Sequence, residues 1–232
     1  MLERKDFDQS GKSQINSSYH HTSIFDLDYT LCTVNTSFRF GIFLVYEKFL
    51  PLYKMPYLMG CYFCHKIGLM SMSTLHQQAC QHLFQGKSIE ILAKHVDVFL
   101  DSQLDEMLSD EMICRFDDAK SQGHYTVLLS SSPDFIVGEI ARRMGFHAWA
   151  GTEYSLISDQ NIGDVGQLME GENKAQYVRC LMKEMDLTKD KITAYTDSSL
   201  DIPFLEAVGN PVAVNPDKKL RKLSEERNWT II

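Results

Sequence analysis

The chain has 232 residues, 44% hydrophobic and 23% charged, with a net charge of −8. That size allows one large domain or a core carrying a smaller insert. The acidic balance argues against a nucleic-acid partner, which calls for a basic face. It leaves room for a phosphorylated substrate, because one local Lys and a metal ion can hold a phosphate.

Residues 1–20 are polar and read as a disordered leader with no signal peptide, and His20 and His21 as chain-entry residues rather than ligands. The run Ser23-Ile24-Phe25-Asp26-Leu27-Asp28-Tyr29-Thr30 is an apolar strand ending in two acids. Alternate residues of an extended segment share a face, so Asp26 and Asp28 can address one space beyond the strand. Two carboxylates there suit a bound cation, or a nucleophile beside a proton donor. An Asp-rich turn is the plainer alternative.

From Thr36 to Met72 the chain is aromatic and Met-rich, with Phe38, Phe40, Phe43, Tyr46 and Phe49 at helical spacings and Glu47, Lys48, Lys54 and Lys66 interrupting. No uncharged stretch reaches the roughly 20 apolar residues that span a bilayer. A buried helical pair is expected, with a membrane-facing or lipid-accommodating surface as the alternative. Cys61 and Cys64 form a C-x-x-C beside His65, but no second ligand pair follows. They read as small side chains on a helix rather than a zinc or redox site. The six cysteines are scattered, which suits free thiols in a reducing cytoplasm. Residues 73–108 continue as amphipathic helix.

Beyond this block, strands and helices alternate. Glu111–Gln122 reads as a helix closed by Gly123, and His124–Leu129 as a strand. Ser130-Ser131-Ser132 follows, with Ser132 as cap and Pro133 as first residue of a helix running to Met144. Ala148–Ile157 holds a strand or two, and Asn173 caps a helix from Lys174 to Met185. Ile192–Tyr195 is a strand ending at Asp197, Leu200–Val208 a short helix, Val212–Val214 a strand and Asp217–Arg227 a helix. The pattern predicts a parallel α/β sheet with helices on both faces.

In open α/β sheets, ligands bind beyond the carboxyl ends of the strands. Three such ends carry chemistry: Asp26 and Asp28, Ser130-Ser131, and Asp197-Ser198 with Asp201 four residues beyond Asp197. Lys174 opens a helix just before the last of these. Singly, Ser130 could be a cap, Lys174 a solvated charge and Asp197 a turn residue. Together they suit phosphoryl transfer, in which a divalent cation, Lys and hydroxyl or backbone donors hold the phosphate. Mg²⁺ takes oxygen ligands, often one or two carboxylates plus substrate phosphate, and Asp26 and Asp197 could provide them. One acid of the first pair can attack phosphorus. The other, kept protonated by neighbouring anions, can donate to the leaving oxygen.

The order Asp26-x-Asp28-x-Thr30, Ser130, Lys174, Asp197-Ser198-x-x-Asp201 resembles the haloacid dehalogenase (HAD) superfamily. The flanks "VLLSSSPDF", "GENKAQYV" and "YTDSSLDIPFLEAVGNPVAVNPDKKLR" look like its subfamily IB, phosphoserine phosphatase-like branch. The resemblance covers residues 22–222. It implies a Rossmannoid three-layer sandwich, with the core at 21–35 and 110–232 and a helical cap inserted at 36–109. It further implies a phosphatase working through an aspartyl-phosphate on Asp26, with Asp28 as general acid and base. Its backbone carbonyl, with Asp26 and Asp197, would bind Mg²⁺. Ser130 and the Ser131 amide would hold the phosphoryl oxygens and Lys174 would neutralise charge. Asp201 would support the metal site or Lys174, Ser198 would be a further supporting residue, and Thr30 would shape the turn.

Two departures matter. Thr196 stands where the family commonly has Gly, which suggests a backbone adjustment. Asn35 stands where phosphoserine phosphatases usually carry a Glu for the substrate ammonium, and a neutral amide binds a cation less well. The expected substrate is therefore a small phosphate ester with an apolar leaving group. A lipid phosphate such as phosphatidylglycerophosphate is an alternative, in a cytoplasmic protein with or without a peripheral membrane contact. A phosphotransferase or mutase with the same intermediate is the other alternative. A degenerate interaction module would have lost these acids, and an ion-pumping ATPase would carry Lys at position 28.

Overall fold

The computed structural model describes residues 19–157 and 160–232. The expected leader therefore lies outside the described residues up to position 18. In chain order the elements are β1 (Thr22–Phe25), α1 (Thr36–Tyr46), α2 (Lys54–Lys66), α3 (Met72–Ala79), α4 (Ile89–Met107) and α5 (Asp110–Ser121). There follow β2 (Tyr125–Pro133), α6 (Asp134–Met144), β3 (Ala148–Thr152), β4 (Tyr154–Ile157), β5 (Asn161–Val165) and α7 (Glu172–Met185). The chain closes with β6 (Ile192–Thr196), α8 (Ile202–Glu206), β7 (Asn210–Ala213), α9 (Lys218–Arg227) and β8 (Thr230–Ile231).

Among the described residues the main sheet has six strands in the order β3-β2-β1-β6-β7-β8, and each neighbouring pair is parallel. All four residues of β1 are buried, as a central strand covered on both faces requires. The period-two alternation divides its side chains between two cores. Phe25 joins Leu128 and Tyr195 in a cluster with Phe116 of α5 and Phe135, Ile136 and Ile140 of α6. Ile24 joins Val127, Leu129 and Ala194 in a second cluster with Val178 and Leu181 of α7, Phe204 of α8 and Leu220 of α9. Three layers result. The strand order reverses about β1, the topological switch point, so a crevice opens where β1, β2 and β6 end.

Helices α1 and α4 belong to the first of these cores through Phe40, Phe43, Leu44, Val96, Phe99 and Leu100. Arg143 of α6 clamps α4 by bonding Asp101 at 2.6 Å, and is itself held by the buried Glu139 of its own helix at 2.7 Å. Helices α2 and α3 stand farther out and pack mainly on each other.

Local expectations need four corrections. Strand β2 continues to Pro133 rather than ending at Leu129, and α6 begins at Asp134 with an extended Pro133 (ψ 136°) as its cap residue. Ser132 makes no cap bond because its hydroxyl turns into the crevice. The cap of α7 is Gly171, and Asn173 lies inside the first turn, donating to the Leu168 carbonyl at 2.7 Å. Strand β5, an antiparallel partner of β4, was not foreseen: Asn161–Val165 is short and half polar. Finally, β6 runs regularly through Thr196, paired with Ala213, without the adjustment expected there.

Gly151 in β3 marks the tightest strand-to-helix approach. A Cβ there would lie 2.6 Å from the Asp134 Cα and 2.9 Å from the Ser132 carbonyl oxygen. Both are backbone atoms that cannot step aside. Gly151→Ala should cost about 1–3 kcal/mol, as overpacking does, and lower the melting midpoint by several degrees. An unchanged calorimetric midpoint would contradict so close a contact.

Candidate active site

The crevice is built from the strand ends. After β1 the chain reverses sharply, with Cys32 N donating to Leu27 O at 2.8 Å and Tyr29 at φ +57°. This places Asp26 under the turn and Asp28 beside the start of α1. Asp26 Oδ1 accepts from the Leu27 amide at 2.8 Å and from Lys174 Nζ at 2.9 Å. Its Oδ2 accepts from the Thr196 hydroxyl at 3.1 Å. Lys174 is buried and also bonds Asp201 Oδ2 at 2.7 Å. Asp201 in turn accepts from Thr196 Oγ1 at 2.9 Å and from the Gly171 amide at 2.9 Å. Gly171 has φ +49°, and a Cβ there would meet the Leu200 carbonyl at 2.8 Å, so glycine is what lets α7 start against this acid.

Asp28 has different company. It accepts from the Thr36 amide at 2.7 Å, the Thr36 hydroxyl at 2.6 Å, the Ser132 hydroxyl at 2.7 Å and Asn35 Nδ2 at 3.2 Å. Thr36 opens α1, so the carboxyl sits at a helix N-terminus. Asn35 caps that helix with its Oδ1, which accepts from the Phe38 amide at 2.8 Å.

Charge is unbalanced here. Asp26, Asp28, Asp197, Asp201 and Glu170 line one chamber with a single lysine, Lys174. Burial pushes Asp26 up to about 6, with Lys174 opposing and Asp201 and Asp28 adding to the rise. Burial likewise raises Asp28 against the bonds from Thr36 and Ser132. Asp197 is pushed up to about 8 by burial and the Asp26 charge, and Glu170 to about 7 by burial and Asp201. Burial would depress Lys174, but Asp201 and Asp26 win and hold its ammonium well above the ordinary range. Asp197 accepts a long 3.4 Å bond from Thr30 and forms no ion pair among the described residues. A carboxylate-rich chamber short of positive charge suits a hard divalent cation of the Mg²⁺ type.

The fold thus brings Asp26, Asp28, Lys174, Asp197, Ser198 and Asp201 around one chamber, with Thr30 behind Asp197. Ser131 lines it too, whereas Ser130 is fully buried below, its hydroxyl oxygen accepting from the Ser132 amide at 3.0 Å. Cys61 and Cys64 do not join it. His65 reaches its wall, with Nδ1 on the Met70 carbonyl side at 3.0 Å, and no cluster of three His, Cys, Asp or Glu ligands occurs among the described residues. Sequence reasoning missed Thr36, Ser132, Glu170 and the use of Thr196. The Asn35-Thr36 pair before a helical run was a readable cap signal. The bridge made by Thr196 was not readable, because it depends on two acids meeting from separate strands.

Thr196 carries a sharp test. Its hydroxyl contacts both Asp26 and Asp201, and valine has nearly the same shape without the hydrogen-bonding group. Thr196→Val should lower stability by about 1–3 kcal/mol, the cost of leaving buried polar groups unsatisfied, while Thr196→Ser retains most of it. Equal melting midpoints for the two variants would remove the bridge from the argument.

The fold has counterparts among known proteins. A model of the haloacid dehalogenase-like hydrolases matches residues 24–206. A phosphoserine phosphatase, SerB1 of Mycobacterium tuberculosis, is 38% identical over 110 residues, which cover 47% of this chain and 36% of that protein. The match thus spans little more than a third of that relative. A Bordetella pertussis protein of unknown function has a similar structure, with a TM-score of 0.81, 22% identity and 93% and 99% of the two chains covered. A phosphoserine phosphatase solved as a phospho-aspartyl intermediate analogue has a TM-score of 0.66 at 16% identity, with 92% of each chain covered. The chain belongs to the haloacid dehalogenase-like hydrolase family.

Proposed function

We propose that this chain is a Mg²⁺-dependent phosphomonoesterase that works through an aspartyl-phosphate on Asp26. The observation that carries the reading is the unlike surroundings of two acids only two residues apart. Asp26 is ion-paired with Lys174 and therefore ready to attack as a carboxylate. Asp28 has no ion-pair partner among the described residues and is raised by burial against the bonds from Thr36 and Ser132, whose hydroxyls can turn to accept from a protonated carboxyl. In the first half-reaction an Asp26 oxygen bonds phosphorus, the ester P–O bond breaks and the leaving oxygen takes the Asp28 proton. In the second, Asp28 takes a proton from water, which attacks phosphorus and frees inorganic phosphate and Asp26. Lys174 stays charged throughout and offsets the negative charge gathered on Asp26 and the phosphoryl group. The Ser131 amide, on the chamber wall, is the phosphoryl donor in this reading, and the Ser130 hydroxyl, expected to share that role, instead lies buried below and supports the turn through the Ser132 amide. Asp26, Asp197 and the Asp28 carbonyl would hold Mg²⁺, which supplies charge neutralisation to the phosphate oxygens.

Residues 36–109 form the cap in this reading, with α1 and α4 rooted on the core and α2 and α3 as the roof. Beside Asp28 a cavity of about 110 Å³ runs under that roof, lined by Met55, Leu58, Leu75, Leu83 and Phe84. Asp28 is the one carboxylate on its wall among the described residues, and Asn35 spends both ends of its amide on the helix cap and on Asp28. An ammonium placed there would lose its water and meet only Asp28, whose oxygens already accept four hydrogen bonds. The substrate we infer is a small phosphate ester with an uncharged, apolar leaving group. The space holds a small apolar group, roughly four waters' worth at about 30 Å³ per water, so acyl chains would need the roof to open.

Asp26→Asn should keep the melting midpoint near wild type while turnover of p-nitrophenyl phosphate with Mg²⁺ falls roughly thousandfold or more. Chelation should abolish wild-type turnover and added Mg²⁺ restore it. Activity persisting in a contaminant-free Asp26→Asn preparation would sink the mechanism. Phosphate release that required an added acceptor would point to the transferase instead.

Across a substrate panel, kcat/KM for a phenyl or alkyl phosphate should exceed that for phosphoserine by about a hundredfold. A preference for phosphoserine would overturn the leaving-group assignment and leave the Asp26 chemistry standing.

A further inference from the structure

Helix α2 is apolar well beyond a single stripe, a pattern that belongs to helices buried all round. At 100° per residue, Met55, Leu58 and Tyr62 share one side and line the cavity. Pro56, Met59, Gly60 and Phe63 fall on the adjoining arc, centred about 120° round the helix, with no charged residue among them. That second arc meets solvent. Phe63 is 64% exposed, and the flanking loops extend the surface with Leu52 at 71%, Tyr53 at 76% and Leu69 at 77%. Monomeric proteins rarely leave so many large apolar side chains together unless something covers them.

Charge indicates what covers this one. From Lys48 to Ile89 the sequence holds four lysines and no Asp or Glu, in a chain whose net charge is −8. The apolar face lies inside that acid-free segment. Lys48 is exposed, while Lys54 bonds the His82 carbonyl at 2.6 Å and Lys87 lies 4.5 Å over the Phe49 ring.

We propose that the outer face of α2 and its flanking loops docks on an anionic lipid surface. Phe63, Leu52 and Leu69 enter the boundary between headgroups and acyl chains, the Tyr53 ring lies at headgroup level and the lysines meet lipid phosphates. No described helix is long and apolar enough to cross a membrane, so the contact is peripheral. A second copy of the chain fits less well, because an isologous contact would set these lysines against their own equivalents. The proposal is independent of the catalytic reading: Met59, Phe63 and Leu69 line neither the chamber nor the leaving-group cavity.

The test is co-sedimentation of the full chain with vesicles of equal parts phosphatidylglycerol and phosphatidylcholine, against phosphatidylcholine alone. Partition into the anionic vesicles should be about tenfold stronger or more, and should weaken as salt rises. The double variant Phe63→Glu, Leu69→Glu should lose about tenfold of that binding, with an unchanged melting curve as its folding control. The proposal is overturned by equal binding to both vesicles, by no binding, or by undiminished binding of the double variant. It is also overturned if the wild type forms a dimer that the double variant lacks, without binding vesicles.

Discussion

The ammonium of Lys174 organises the crevice. It is buried between Asp26 and Asp201 at 2.9 and 2.7 Å, joining the end of β1 to the start of α7 and the turn after β6. Taking such charges out of water costs several kcal/mol per ion, and the attraction recovers this only when geometry is good and remaining bonds are filled. Here they are filled: Thr196 donates to both acids, and the Leu27 and Gly171 amides take other lone pairs. The cluster therefore fixes three chain segments against one another, but it still carries more acid than base. A site assembled this way is preorganised for a further cation and an anionic group bound together.

Position follows from topology. Because the strand order reverses at β1, the connection that follows β1 packs on one face of the sheet and the one that follows β6 on the other, which leaves a crevice between the ends of these two strands. The two cores on either face of the sheet hold that geometry, with Phe25 stacked on Tyr195 at 4.6 Å on one side and Ile24 packed toward α7 on the other. Any slip of β1 by one residue would exchange these faces and turn Asp26 away from Lys174.

The parts legible in the sequence were those carried by local pattern. An apolar strand with acids at i and i+2, a Gly after a helix, and strands alternating with helices each rest on neighbours in the chain. They sufficed for the parallel sheet and for gathering Asp26, Asp28, Lys174, Asp197 and Asp201. The misread parts depend on distant groups. Ser132 was read as a helix cap, which is what Ser before Pro favours locally, yet its hydroxyl bonds Asp28, 104 positions away. Thr196 was read as a nuisance to the backbone because glycine is usual there. Its side chain instead fills the space between Asp26 of β1 and Asp201, a space that exists only after the sheet has formed. The aromatic run after Thr36 was ambiguous for the same reason: periodicity placed its helices, but not which face would be left in solvent.

That ambiguity resolves into a division of labour within one segment. Helix α1 begins at Thr36, whose amide and hydroxyl hold Asp28, and its Phe40 and Phe43 are buried against Phe99 of α4. Helix α4 is in turn tied to α6 through Arg143. The acid is thus anchored to the rigid part of the inserted segment. The outer helices α2 and α3 share fewer contacts with the core and cover the cavity beside Asp28. A displacement of that roof, by a substrate entering or by a surface outside, can change access without moving Asp28. The same helix face that leaves Phe63 unpaired therefore costs the catalytic geometry little, because the constraint on Asp28 runs through α1 and not through α2.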